Sequence, residues 1–144
     1  MPTVPVHRGP EPATDFEATV VDFFDAGVAG DVDRSMALVA EDATYRVNAW
    51  NEPFRGHDEI DEDLRRQRRE WSAFRYQMLN LATAGNVVLA ERIDSIRMHG
   101  RDVTVHVAAV FEFDADGRIA SWRDYFDSHE IEEQLAWSNR FGVS

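Results

Sequence analysis

Residues 87–126 read VVLAERIDSIRMHGRDVTVHVAAVFEFDADGRIASWRDYF, and this run decides the architecture. Side chains alternate across a β-strand. Val103, Val105, Val107, Ala109, Phe111 and Phe113 therefore share one wholly apolar face, and Thr104, His106 and Glu112 take the other. The separators His99-Gly100-Arg101 and Asp114-Ala115-Asp116-Gly117 carry turn chemistry. The run thus predicts strands over 87–98, 102–113 and 118–126, joined as an antiparallel meander. Strands this long curl as they twist.

Working outward, 75–82 reads as one more strand, set off by Ala84-Gly85-Asn86. Before it the pattern is helical. Thr14 with Glu17 forms a capping-box signature, and Phe16, Val20, Phe23, Phe24 and Val28 recur at helical spacing up to Gly30. A second short helix is predicted over 32–39 with Asp31 as its cap. A short strand over 44–48 follows, then a loop over 51–56 containing Pro53, then a helix over 58–71. A last helix starts near Asp127, with Glu130 three residues on, and runs to about Phe141. The first twelve residues hold four prolines and one glycine, so 1–13 reads as a flexible arm and 14–144 as a single domain. Helices first and a long sheet after is an α+β pattern. The expectation is a curved antiparallel sheet closed into a cone by helices on one face, around a deep apolar pocket.

Composition narrows the chemistry. Apolar residues make up 44% of the 144, enough for a core. The chain has no Cys, which excludes disulfides and thiolate nucleophiles. All 15 basic residues are Arg, which excludes Schiff-base and P-loop lysines. A net charge of −12 repels a phosphate backbone, so no nucleic-acid partner is expected. No apolar run is long enough to span a bilayer, and cytoplasmic residence is the expectation. The basic cluster Arg65, Arg66, Arg68 and Arg69 sits among acids and reads as a solvated helix face with intrahelical pairs.

Three charges fall on apolar faces. Val88, Ala90, Arg92, Asp94, Ile96 and Met98 share a face, as do Ala120, Trp122, Asp124 and Phe126. A carboxylate among aromatics is costly unless paired or protonated. A structural buried ion pair would give the same pattern. One arginine does not fully offset two buried carboxylates, however, so one aspartate is expected to hold a proton at neutral pH. A carboxylic acid beside a carboxylate is a general acid beside a general base. In the short early strand, Arg46 and Asn48 share one face and Tyr45 and Val47 the other. His106 falls on the polar face and the other four histidines in loops or at helix starts, at no triad spacing.

Glu91-Arg92-Ile93-Asp94, then Val110-Phe111, then Trp122-Arg123-Asp124-Tyr125-Phe126-Asp127 resembles the limonene-1,2-epoxide hydrolase family. The resemblance is strongest over 87–133 and extends more weakly back to Phe16, through Glu41-Asp42 and Asn48. It implies a cone-shaped α+β fold of the nuclear-transport-factor type, usually homodimeric, with no metal and no cofactor. It implies Asp124 as the base that takes a proton from water, Asp94 as the acid that protonates the epoxide oxygen, Arg92 between them, and Asn48 orienting the water. A tyrosine two residues before that asparagine also belongs to the family pattern; here Arg46 stands there, with Tyr45 beside it. Either a bulge turns Tyr45 inward, or a regular strand brings Arg46 into the pocket beside Asn48, where it would weaken Asp124 as a base. Candidate catalytic residues are thus Arg92, Asp94, Asp124, Asn48 and Tyr45. Candidate substrate contacts are Arg46, Trp71, Ile96, Val105, Val107, Trp122 and Phe126. The implied partner is a small hydrophobic epoxide. An isomerase, dehydratase or cyclase, or a ligand-binding module without catalysis, would use the same pocket.

Overall fold

The computed structural model describes residues 9–140. Helix α1 (Asp15–Ala29) starts at Thr14, whose hydroxyl accepts from the Glu17 N–H at 3.1 Å. The Glu17 carboxylate reaches back to the Ala13 N–H and also accepts from the Thr83 hydroxyl, so the cap ties the helix to the sheet. Gly30, at φ 74°, ends it in a left-handed turn. Helix α2 (Val32–Met36) is capped by Asp31 as expected, but it stops three residues short of the predicted end. Val39 and Ala40 are already in strand β1 (Val39–Val47). The Leu38 carbonyl accepts from the Ile119 N–H at 2.9 Å, so sheet pairing takes the chain before the helix can continue.

Strand β2 (Phe54–Arg55) and helix α3 (Gly56–Glu70) follow. Then come β3 (Trp71–Ala84), β4 (Val87–Met98), β5 (Arg101–Phe113), β6 (Ile119–Tyr125) and α4 (Ser128–Arg140). β1 and β3 are longer than predicted, because cross-strand partners extend a strand beyond its own propensity. Trp71, expected in the helix, pairs with Met98. Of the predicted N-terminal arm, only 9–13 lies within the described residues. There Gly9, at φ 154°, passes so close to β3 that a Cβ would meet the Met78 carbonyl oxygen at 2.0 Å.

The sheet runs β2-β1-β6-β5-β4-β3. β3 to β6 form the expected antiparallel meander, but β1 pairs parallel with β6, so the sheet is mixed. The concave face is apolar along β5, where Val103, Val105, Val107, Ala109, Phe111 and Phe113 are all buried. On β6 the inward residue is Ile119, not Ala120. The register shifts where Glu112 faces Ser121 and Phe113 faces Ile119, a bulge that returns both Ile119 and Trp122 to the core. Helices α1 and α3 pack over this face. No helix among the described residues is long and apolar enough to cross a membrane.

α4 has a separate task. β6 ends at Tyr125, opposite Ala108, which leaves the first half of β5 without a strand neighbour on that side. An open edge exposes unpaired backbone groups. Gln134 of α4 supplies them with partners: its Oε1 accepts from the Thr104 N–H at 2.9 Å and its Nε2 donates to the Thr104 carbonyl at 2.7 Å. Glu130 accepts from the His106 N–H at 3.1 Å. Glu130 is therefore occupied with the sheet edge, and Asp127 caps the start of α4 through the His129 N–H. The predicted end at Phe141 lies outside the described residues.

Candidate active site

Strand alternation carries Arg92 and Asp94 of β4 to the concave face, and β5 separates them from Asp124 of β6. The register closes the gap: Arg92 sits opposite Val107 and Asp124 opposite Ala109, so the long guanidinium reaches across β5. Its Nη1 and Nη2 donate to Asp124 Oδ1 and Oδ2 at 3.1 and 3.2 Å, a two-pronged pair, and its Nε donates to Asp94 Oδ1 at 2.8 Å. All three residues are buried. The Trp122 indole N–H adds a bond to Asp124 Oδ1 at 2.8 Å. The Phe24 ring lies 4.4 Å from the guanidinium carbon, a cation–π contact that supports the charge from the helical side.

The two carboxylates are not equivalent. Asp124 accepts three charged or indole N–H bonds, whereas Asp94 accepts one from Arg92, and only through Oδ1. Burial pushes the Asp94 carboxyl above its ordinary range, against the pull of the Arg92 charge and with the Asp124 charge adding to the rise. Burial works against the Arg92 charge, but Asp124 and Asp94 more than compensate and hold it above the usual guanidinium range. The trio is thus a fixed cation, a carboxyl group gripped by three N–H donors and a second carboxyl whose hold on its proton burial strengthens.

Of the two alternatives for Tyr45 and Arg46, the structure takes the first: Tyr45 turns inward and Arg46 outward, with the irregularity lying upstream of both. Ala43 and Tyr45 are buried on the concave face and Val47 lines the cavity, so the strand is regular here and its parity is set by a register shift upstream, between Val39 and Thr44. Arg46 points away and donates to the carbonyls of Ala49 and Asn51 at 3.2 and 2.8 Å. Arg46 is therefore not a pocket residue. The residue that breaks the alternation is Asn48, whose φ of 59° is left-handed and swings it back into the interior. Asparagine tolerates this conformation better than most residues. Its backbone N–H donates to the Asp124 carbonyl at 2.8 Å and its Oδ1 accepts from the Phe126 N–H at 2.9 Å. Asn48 thus pins the backbone just past the Asp124 side chain, at the Asp124 carbonyl and the Phe126 N–H. The Tyr45 ring stacks on Trp122 at 4.0 Å, and burial, then the Asp124 charge, hold its phenol well above the ordinary range.

These groups border a cavity of ≈ 180 Å³. Arg92, Asp94, Asp124 and Tyr45 line it, as do Trp71, Ile96, Val105, Val107, Trp122 and Phe126. Arg46 and Asn48 do not. Missing from the sequence reading are Asp63, Gln67 and Arg68 of α3, which also line it. The signal was present: Ile60, Asp63, Leu64, Gln67, Arg68 and Trp71 recur at three- and four-residue spacing, one stripe of a helix. Asp63 is buried and accepts from Arg66 at 2.7 Å and Gln67 at 3.2 Å.

A curved mixed sheet with few helices, enclosing a buried acid–arginine–acid site, defines an α+β cone of the NTF2-like kind. The chain belongs to the SnoaL-like family, whose domain matches residues 20–122. It is 34% identical over 101 residues to epoxide hydrolase EphG of Mycobacterium tuberculosis, a stretch covering 70% of this chain and 66%, just under two thirds, of that protein. Its fold superposes on an LEH-like epoxide hydrolase of M. tuberculosis with a TM-score of 0.76 at 31% identity, covering 85% of this chain and 90% of the other. A SnoaL-like polyketide cyclase from Shewanella denitrificans, so described provisionally, gives a TM-score of 0.78 at 15% identity, over 85% and 97% of the two chains, a likeness of fold alone.

Proposed function

We propose that this chain is an enzyme that adds water to a compact apolar epoxide and releases a vicinal diol in one step. The observation that carries the reading is the asymmetric trio: Arg92 grips Asp124 with two N–H groups and Asp94 with one, in a buried site. Asp124, held by three N–H donors, takes a proton from a water as that water's oxygen attacks a ring carbon. Asp94, whose carboxyl burial raises above its ordinary range, gives its proton to the ring oxygen as the carbon–oxygen bond breaks. A proton returning from Asp124 to Asp94 resets the site. Tyr45 is the group we assign to orienting the water from the wall, and Asn48, outside the cavity lining, acts on it only by positioning Asp124. No cofactor or metal enters the scheme. The aromatic wall of Trp122, Phe126 and Trp71 suits an apolar substrate, and ≈ 180 Å³ is below the roughly 300–1,000 Å³ of pockets for drug-sized ligands, which favours a small one. The names of the M. tuberculosis relatives support the same reading.

The test is diol formation from a panel of small apolar epoxides in isotopically labelled water, with parent, Asp94→Asn and Asp124→Asn. Each variant is expected to lose at least ~10²-fold, the lower end of what one positioned acid or base contributes, while circular dichroism shows the fold intact. Near-parental turnover by either variant excludes the assigned pair.

A further inference from the structure

Among the described residues, three arginines line the cavity: Arg66, Arg68 and Arg92. Arg92 is held by Asp94 and Asp124, and Arg66 by Asp63 and Glu70. Arg68 has no carboxylate within ion-pair distance among the described residues. Its guanidinium is half-buried, 5.8 Å from the centre of the Phe74 ring, with one nitrogen near Gly27 in the last turn of α1. Burial holds its pKa below the ordinary guanidinium value, and no neighbouring charge offsets that loss. This sets Arg68 apart on its own helix, where the neighbours Arg65, Arg66 and Arg69 all have acidic partners.

Position gives this difference a use. Phe74 pairs with Ile96, two residues along β4 from Asp94, or ~7 Å at ~3.3 Å per residue. The free cation and the acid–base trio are thus displaced along one cavity, with apolar wall between them. We propose that Arg68 is the anion-binding end of the pocket, and that the natural ligand is amphipathic, with an apolar body over Trp71, Phe74 and Ile96 and a carboxylate on Arg68. A planar carboxylate matches the guanidinium fork. A dianionic phosphate fits less well, because Asp31 and Asp63 also line the cavity. The inference rests on the same pocket as the proposed hydrolase, and it names the polar end of that enzyme's substrate.

The experiment is a binding measurement, so it does not depend on epoxide chemistry. Trp71 and Trp122 line the cavity, and their fluorescence reports occupancy. Decanoate, methyl decanoate and decan-1-ol are titrated into parent, Arg68→Gln and Arg68→Lys. In the parent, decanoate is expected to bind about tenfold or more tighter than the two neutral ligands, as befits a charge-assisted hydrogen-bonded pair. Arg68→Gln abolishes that preference and leaves decan-1-ol affinity within about twofold, while Arg68→Lys keeps part of it. A parent without preference for decanoate overturns the proposal. So does a preference that survives Arg68→Gln, which would place the carboxylate elsewhere. If Arg68 serves only the C-terminal end of α1, Arg68→Gln lowers the melting temperature and weakens all three ligands alike, which also overturns it. Absence of diol formation by the parent on every epoxide in the earlier test, with this preference intact, would remove the hydrolase reading and leave the anion site standing.

Discussion

Helix α3 and the floor of the cavity use the same chemical pair and obtain different things from it. On α3, Arg69 meets Glu62 at 2.9 Å with side chains 61% and 68% exposed. In the cavity, Arg92 meets Asp94 at 2.8 Å with side chains 3% and 9% exposed. The distances are nearly equal, so geometry does not distinguish them. Solvent does. Water and salt screen the surface pair to a contribution of about 0–1 kcal/mol. In the cavity, each charge depends on its partner because no water replaces it. Burial with one arginine between two carboxylates makes Asp94 and Asp124 unlike each other: Asp124 accepts three N–H bonds and Asp94 one.

The sharpest way to break this comparison is to remove the arginine from each region. Arg92→Met strands two buried carboxylates and is expected to destabilise by about 3–5 kcal/mol, read as a shift of the denaturant midpoint. Arg69→Met, with the same change of shape, is expected to stay within about 0.5 kcal/mol. Equal effects would show that burial is not what separates the two regions. Within β1 the same contrast is available one residue apart. Tyr45 faces Trp122 and the cavity, while Arg46 is spent on the carbonyls of Ala49 and Asn51. Tyr45→Phe is expected to lower diol formation by about tenfold, the value of one oriented hydrogen bond, and Arg46→Ala to leave turnover within about twofold. The reverse ranking would return Arg46 to the site.

The smallest expected effect is in the pH dependence of stability. Burial raises the Asp94 carboxyl above its ordinary 3.8. The folded state then holds a proton that the unfolded state has released, over the pH range between the two values. Stability from this group is fully present below about 3.8 and declines as pH rises through the folded value. The melting temperature of the parent should therefore fall relative to that of Asp94→Asn as pH rises from acid toward neutral. Each pH unit separating the folded from the unfolded value corresponds to about 1.4 kcal/mol of that fall. A difference independent of pH would mean that Asp94 is an ordinary anion and would remove it as the acid.

Much of this was legible before any fold was known. Alternation is a local property, so Arg92 with Asp94, Asp124 beside Trp122, and the apolar face of β5 follow from which residues stand two apart. The capping signals at Thr14, Asp31 and Asp127 are equally local and each marks a helix start. The places where local reading fails share a cause. The parity of β1 is set by its parallel pairing with β6 across more than seventy residues of chain, and the left-handed Asn48 makes sense only because Asp124 and Phe126 receive its backbone and side chain. Ile119 replaces Ala120 because a bulge against β5 absorbs one residue. Asp63, Gln67 and Arg68 reach the cavity because α3 docks with one particular stripe inward; in sequence, that stripe is interrupted by the acids and arginines of the solvated face. A chain encodes which side chains share a face in spacings of two, three and four, but which face meets which, and which charge is left without a partner, is fixed only when distant elements compete for the same interior.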